Sequence, residues 1–364
     1  MEKFTGIITA NYSSESLGAL TKERPAASLP FGGRYRLVDF PLSNMVNAGI
    51  ETVGIVTPYK YRSLVDHVGT GKQWALDRKN GGLFLLPGTV FGVSSLDSRF
   101  LMRDIRKNKV YLNRSRAKYV LITSCSFICN MDYTGLFKAH EASGADITMV
   151  YTEAKKDCKY TDKLEIEGDS VKNVTRGVNK GDNAFIDCFV IGREFLLKMC
   201  EWYAAIDHLD IFELLQGEYA KMDVRGYKFE GYASGIFTVD EYYKCSMDLL
   251  KPEVRTELFN YDSMIMTKVQ DSVPTKYLGE AKVKNSFIPA GCVIEGEVEG
   301  SILFRGVNVQ KGAVVKNSII MQSCTIEAGV CVENAIIDRN NQISAGTVIK
   351  GTAADPLVIP KVNY

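Results

Sequence analysis

The sequence predicts two parts in series: an α/β domain with a mostly parallel sheet, then a parallel β-helix of hexapeptide repeats. Three observations predict it. β-rich runs alternate with helical patterns through about residue 250, a stretch without sustained periodicity follows, and beyond it apolar residues recur every six positions. The expected boundaries are 1–250 for the α/β domain, 251–282 for a linker and 283–364 for the β-helix.

In chain order, FTGIITA reads as the first strand, LVDFPLSNMVNAG as a helix, ETVGIVTP as a strand and YRSLVDHVG as a helix. YVLITS, TGLFKAHEASG and DITMVYTE repeat the alternation. KLEIEGDSVKNVTR reads as a hairpin turning at Gly168-Asp169. Helical patterns at REFLLKMCEWYAA and VDEYYKCSMDLL close the domain. Pro252 and Pro274 bracket the expected connection.

Beyond it the apolar pairs Ile302-Leu303, Ile319-Ile320 and Ile336-Ile337 recur at 17-residue steps. Leu303, Val309 and Val315 form one set, Ile320, Ile326 and Val332 the next, and Ile337, Ile343 and Ile349 the last. Ile288, Ile294 and Val298 form a shorter copy before them. Three six-residue steps per turn give a triangular prism of about four coils whose inward residues stack. Such a stack serves as a rigid spacer or assembly surface, or as an acyltransferase when a histidine activates the acceptor. The histidines, His67, His140 and His208, all precede the repeat, which argues against acyl transfer.

The 44 basic and 43 acidic residues nearly balance, which gives no reason to expect nucleic acid or an anionic membrane as partner. No apolar run is long enough to span a bilayer, and the N-terminus lacks a signal-peptide core, so a cytoplasmic location is expected. Nine cysteines without paired spacing read as reduced, mostly buried thiols; Cys125 and Cys129, four apart, carry little metal signal.

SCSFICNMDY, residues 124–133, leaves the buried strand YVLITS at the end where an open α/β sheet forms its ligand crevice, yet it has no carboxylate until Asp132. Other segments explain why. LTKERPAASLPFGGRYRLVDFPLSNMVNAGI, from Leu20, with Met131-Asp132-Tyr133 and the later Thr238, Tyr242, Lys244, Asp248 and Leu249, resembles the glucose-1-phosphate adenylyltransferases, or ADP-glucose pyrophosphorylases. The resemblance implies a Rossmann-like (GT-A-like) nucleotidyltransferase domain followed by a left-handed β-helix, and it covers nearly the whole chain.

The family's chemistry does not carry over with it. Its glycine-rich G-G-x-G-x-R-L loop lets backbone N–H groups approach nucleotide phosphates. Here the segment is Asn11 to Leu17, with Ser14 at the last glycine, Ser16 at the arginine and Glu15 adding negative charge. Counting back from Met131 places Ser126 at one metal-binding aspartate, and counting back from Thr238 places Gly235 at the other. Magnesium there needs carboxylates. Losing one well-placed electrostatic group costs about 10²–10³-fold in rate, and several are missing together. No catalytic residue, cofactor or metal is therefore expected. Val174 to Gly177 and Phe185 to Asp187 replace the family's sugar-phosphate and glucose motifs; Arg176 there is either a phosphate fork or plain surface charge.

The chain thus resembles the family's GlgD-type regulatory subunits. That implies a catalytic (GlgC-type) partner, a heterotetramer, and a sugar-phosphate or nucleotide effector. Lys22, Arg24, Arg34 and Arg36 either bind the effector's phosphate or act structurally, with Arg36 pairing Asp39 or capping the helix near Pro41. Two alternatives stand beside this: a stand-alone sugar-phosphate or nucleotide sensor, and a weak enzyme whose metal site is relocated to Asp132, Asp187 or Asp240.

Overall fold

A computed structural model describes residues 3–89, 98–206 and 208–361. Residues 1–2 and 362–364, the outer ends of the two expected parts, lie outside that range. A nine-stranded sheet organises the first part, built from β1 (Phe4–Thr9), β2 (Thr52–Thr57), β3 (Gly82–Pro87), β4 (Tyr119–Ser124), β6 (Ile147–Glu153), β7 (Cys158–Glu167), β8 (Ser170–Val178), β9 (Asn183–Gly192) and β10 (Val224–Lys228). Its order is β3-β2-β1-β4-β9-β6-β10-β8-β7. The short β5 (Phe127–Cys129) and β11 (Ala233–Gly235) pair separately.

The sheet is mixed, where a mostly parallel one was expected. β3, β2, β1 and β4 run parallel, with the helices Asp39–Asn47 and Arg62–Val68 as crossovers, but β9 lies antiparallel to both β4 and β6. The reason is connection length. β7, β8 and β9 follow one another through short loops, and a parallel return needs a crossover of a dozen residues or more. β7 and β8 are the expected hairpin. β1 and β4, in the sheet's interior, are buried at every position, as strands covered on both faces must be.

In the second part, three parallel sheets of five, five and four short strands form the β-helix. Val298 pairs with Val315, Val315 with Val332 and Val332 with Ile349, so the hexapeptide columns lie in the expected register. Left-handed corners recur with the coil: Gly306, Ser323 and Asn340 have φ of 72°, 57° and 61°. The expected connection 251–282 is itself structured. Pro252–Leu258 is a helix with proline in its first turn, and Lys276–Tyr277 already pairs with Val293–Ile294 as a first coil. That coil escapes the pattern because its Tyr277 and Val283 are exposed at the open end of the stack.

The apolar pairs have a two-sided explanation. Leu303, Ile320 and Ile337 point into the prism, while Ile302, Ile319 and Ile336 join the core beneath the α/β domain, all fully buried. One face of the β-helix is thus the floor of the first domain. Polar contacts fix the docking: Tyr243 donates to Asn317 O at 2.6 Å, and Arg24 forms a buried ion pair with Asp338. Among the described residues no helix is long and apolar enough to cross a membrane. None of the nine cysteines is in a disulfide, and seven are buried.

Candidate functional site

β4 ends at Ser124, and two residues later the chain enters β5, which pairs antiparallel with β11 so that Gly235 faces Phe127. Ile236 donates its backbone N–H to Ser126 O at 2.8 Å. Ser126 and Gly235, distant in sequence, are therefore neighbours at the ends of adjoining strands, Ser126 lining the cavity beside Tyr12 and Gly235 the adjacent one beside Tyr232. The Ser126 backbone N–H is held by Ser124 Oγ at 3.0 Å. Its own Oγ and the Tyr12 hydroxyl are buried and interact with each other. A Cβ on Gly235 would lie 2.5 Å from the Phe237 ring, so a carboxylate there requires Phe237 to move.

The loop facing this pair is a tight turn and no phosphate cradle. Glu15–Thr21 is 3-10 helical, Leu17 donates to Ser14 O at 3.0 Å, and Thr21 Oγ1 donates to the same carbonyl at 2.8 Å. The Ser16 hydroxyl turns to Tyr160 Oη at 3.2 Å. Tyr12, Ser14, Ser16, Arg99, Ser126 and Phe237 line what remains, a cavity of about 180 Å³.

Arg99, which the sequence did not single out, fills the cleft with charge. It is 5% exposed. Its Nε pairs with Asp187, its Nη2 lies 3.1 Å from Asp162 Oδ2, its Nη1 donates to Tyr160 O at 3.1 Å, and the guanidinium sits over the Phe237 ring. Burial opposes its charge, but Asp187 and Asp162 more than restore it, and the guanidinium's pKa is raised. Burial pushes the Asp187 carboxyl up, while Arg99 and the Ser124 hydroxyl, 2.7 Å away, pull it back. Asp187 has φ 55° in the middle of β9, a conformation that glycine adopts freely. Asp162 continues the chain of charge outward to Arg176 Nη1 at 2.7 Å, so Arg176 answers a carboxylate.

The residues present do not fit a magnesium site. Ser126 offers a neutral hydroxyl, Gly235 offers no side-chain ligand atom, and the nearby Asp187 is paired with Arg99. Cys125 is fully buried, and that burial pushes its thiol up. Each aspartate of the relocated-metal alternative has a partner of its own. Asp132 caps a helix by accepting from Thr134 N at 2.8 Å, Asp187 is paired with Arg99, and Asp240 pairs with Lys244 at 2.8 Å. Among the described residues no group of three or more His, Cys, Asp or Glu side chains is placed to hold a metal ion.

The four basic residues expected to bind an effector divide. Arg24 is buried, its Nε donating to Leu20 O at 2.9 Å and its Nη2 bonded to Asp338, so it joins the two parts of the chain. Lys22 and Arg34 are exposed. Arg36 donates its backbone N–H to Asp39 Oδ2 at 2.9 Å and its guanidinium to Ser63 O at 2.5 Å, while Asp39 Oδ1 is taken by His67 at 2.5 Å. The expected side-chain pairing of Arg36 with Asp39 is thus replaced by a backbone bond. Burial holds the Arg36 guanidinium down to about 10; Asp39 opposes this, and Arg339 and Arg24 reinforce it. Arg305 and Arg339, both from the β-helix, join the cationic side of the junction.

Comparison with known proteins gives two family matches: nucleotidyl transferase over residues 6–161 and the GlmU-like C-terminal hexapeptide over residues 272–355. The chain is 35% identical to the glycogen biosynthesis protein GlgD of Bacillus subtilis (strain 168) over 311 residues, covering 85% of this chain and 82% of the relative. It is 36% identical to the protein of the same name from Geobacillus stearothermophilus, covering 86% and 83%. A glucose-1-phosphate adenylyltransferase of Bacillus anthracis is 34% identical, covering 86% of each chain.

Proposed function

The chain belongs to the ADP-glucose pyrophosphorylase family of glycogen biosynthesis, and we propose that within it this is a non-catalytic regulatory subunit that modulates a catalytic partner by hetero-oligomerisation. One observation carries the reading. Where adenylyl transfer needs acidic anchors for a divalent cation, the two adjoining strand ends carry Ser126 and Gly235, and the cavity at Ser126 holds a guanidinium already neutralised by Asp187 and Asp162. Restoring the chemistry would take an open cradle, two new carboxylates and the removal of Arg99.

What such a chain contributes is its surfaces. By binding the competent conformation of a catalytic subunit more tightly, it shifts that subunit's population; a differential of about 1–3 kcal/mol gives a 5- to 150-fold effect. Arg36 near Arg339 and Arg34 near Arg305, with the exposed Lys22 of the same segment, form the effector-phosphate site in this reading. Arg339 Nε is buried without a partner among the described residues, so a bound anion there would relieve the like charges.

The test titrates the catalytic chain with this chain and follows ADP-glucose synthesis and particle size together. The expected result is a mixed oligomer, a heterotetramer, whose activity or substrate affinity differs from that of the catalytic chain alone. Unchanged activity with no mixed species overturns the proposal. A stand-alone sensor is the second reading, favoured by the hydroxyl-lined cavity that remains at Tyr12, Ser14, Ser16 and Ser126; micromolar calorimetric binding of ATP or glucose 1-phosphate to the isolated chain would establish it.

A further inference from the structure

The sheet ends at β3, and among the described residues no strand pairs with its outer edge. Exposed strand edges are usually shortened, charged or covered, because they template pairing with another chain. This one carries Phe84 and Leu85, each 39% exposed, and beside it Val110 of the helix Lys109–Arg114 is 55% exposed. Together they line a groove of about 870 Å³. Its floor is rigid. The Tyr111 ring meets Phe84 edge-on at 5.5 Å, and its hydroxyl donates to Gly6 O at 2.8 Å in the middle of the sheet.

The rim has one sign. Lys79, Lys107, Arg114 and Arg116 are exposed on the lining, and no carboxylate is among the described residues that line the groove. An isologous contact between two copies would set these cations against each other, which disfavours self-pairing through this face. A partner with an apolar centre and an acidic border is favoured instead, both in encounter and in register.

We propose that the β3 edge groove is a heterotypic interface, docking an extended apolar segment flanked by carboxylates on the catalytic subunit. The inference rests on the regulatory-subunit reading and says where that contact lies. Main-chain pairing along β3 supplies the geometry, Phe84 and Val110 the anchoring area, and the four cations the orientation. The contact should weaken as salt rises.

Sedimentation of this chain with the catalytic subunit of a glucose-1-phosphate adenylyltransferase, at low and high salt, tests it. The double substitution Lys107→Glu and Arg114→Glu is expected to raise the Kd about tenfold or more, as is Val110→Lys, whereas Lys172→Glu at the far side of the sheet leaves it unchanged. Binding of the folded charge-reversal variant as tight as that of the original chain overturns the interface while leaving the regulatory reading intact. Absence of any complex with the unaltered chain overturns both. Salt dependence of the unaltered pair needs no variant to fold, and a Kd indifferent to salt also overturns the proposal.

Discussion

The cleft and the β-helix treat buried polarity in opposite ways. In the stack, inward positions such as Ile326, Val315 and Val332 are fully buried hydrocarbon, and the buried polar side chains Ser301 and Ser318 are uncharged and bonded to the backbone of the next coil. In the cleft, Arg99, Asp187 and Asp162 bring full charges to one buried point, where they answer each other. The first arrangement is stable by area and repetition. The second is stable only while every member is present, because removing one partner leaves a desolvated charge. A cleft built for a ligand keeps its charges open; this one closes them on itself, while the scaffold around it is kept in register.

The widest separation of the two regions should come from Arg99→Ala. It strands Asp187 in the core and is expected to cost about 3–5 kcal/mol in urea unfolding. Arg99→Met with Asp187→Gly, which removes both charges and frees a backbone held at φ 55°, should cost clearly less than the single change. If the losses simply add, the two groups are not a closed pair. In the stack, Ile326→Ala should cost about 2–5 kcal/mol by leaving a cavity, and no second change to a polar neighbour should relieve it.

A pH experiment probes a third kind of burial. His140 is buried, with Nδ1 2.7 Å from Thr148 Oγ1, and its imidazole is held down to about 4 from the ordinary 6.5, by burial first and then by Lys118. Between those values the unfolded chain binds a proton that the folded chain refuses. Stability therefore rises with pH across that window and is lost on acidification. Thermal unfolding should show this slope, and His140→Gln should flatten it. The smallest effect belongs to the exposed ladder on the outer face of the stack: Lys316→Ala, which removes contacts at 3.3 Å to Glu297 and 3.9 Å to Glu299, should leave the unfolding midpoint nearly unchanged.

The same contrast explains what could be read from sequence. Every coil of the β-helix presents the same environment at the same step, so Leu303, Ile320 and Ile337 announce themselves by position alone. The first coil did not, because Tyr277 and Val283 have nothing stacked over them and need not be typical hydrocarbon. Ser126 and Gly235 were placed by counting from neighbouring motifs, and β5–β11 pairing brings them to adjoining positions. Arg99 was not legible, since its partners arrive on β7 and β9 and nothing local marks it. Arg24 shows a third case. A basic residue in the right neighbourhood for a phosphate turns out to be held by Asp338, far along the chain, once the β-helix docks. Strand direction was also hidden, because periodicity reports which face is buried and says nothing of whether β9 runs with or against β4.

The most direct measurement is pyrophosphate release by the isolated chain supplied with ATP, glucose 1-phosphate and magnesium. A cleft whose charges are satisfied internally predicts no rate above the reagent blank. Turnover approaching that of a catalytic relative, abolished by chelating the metal, would contradict it.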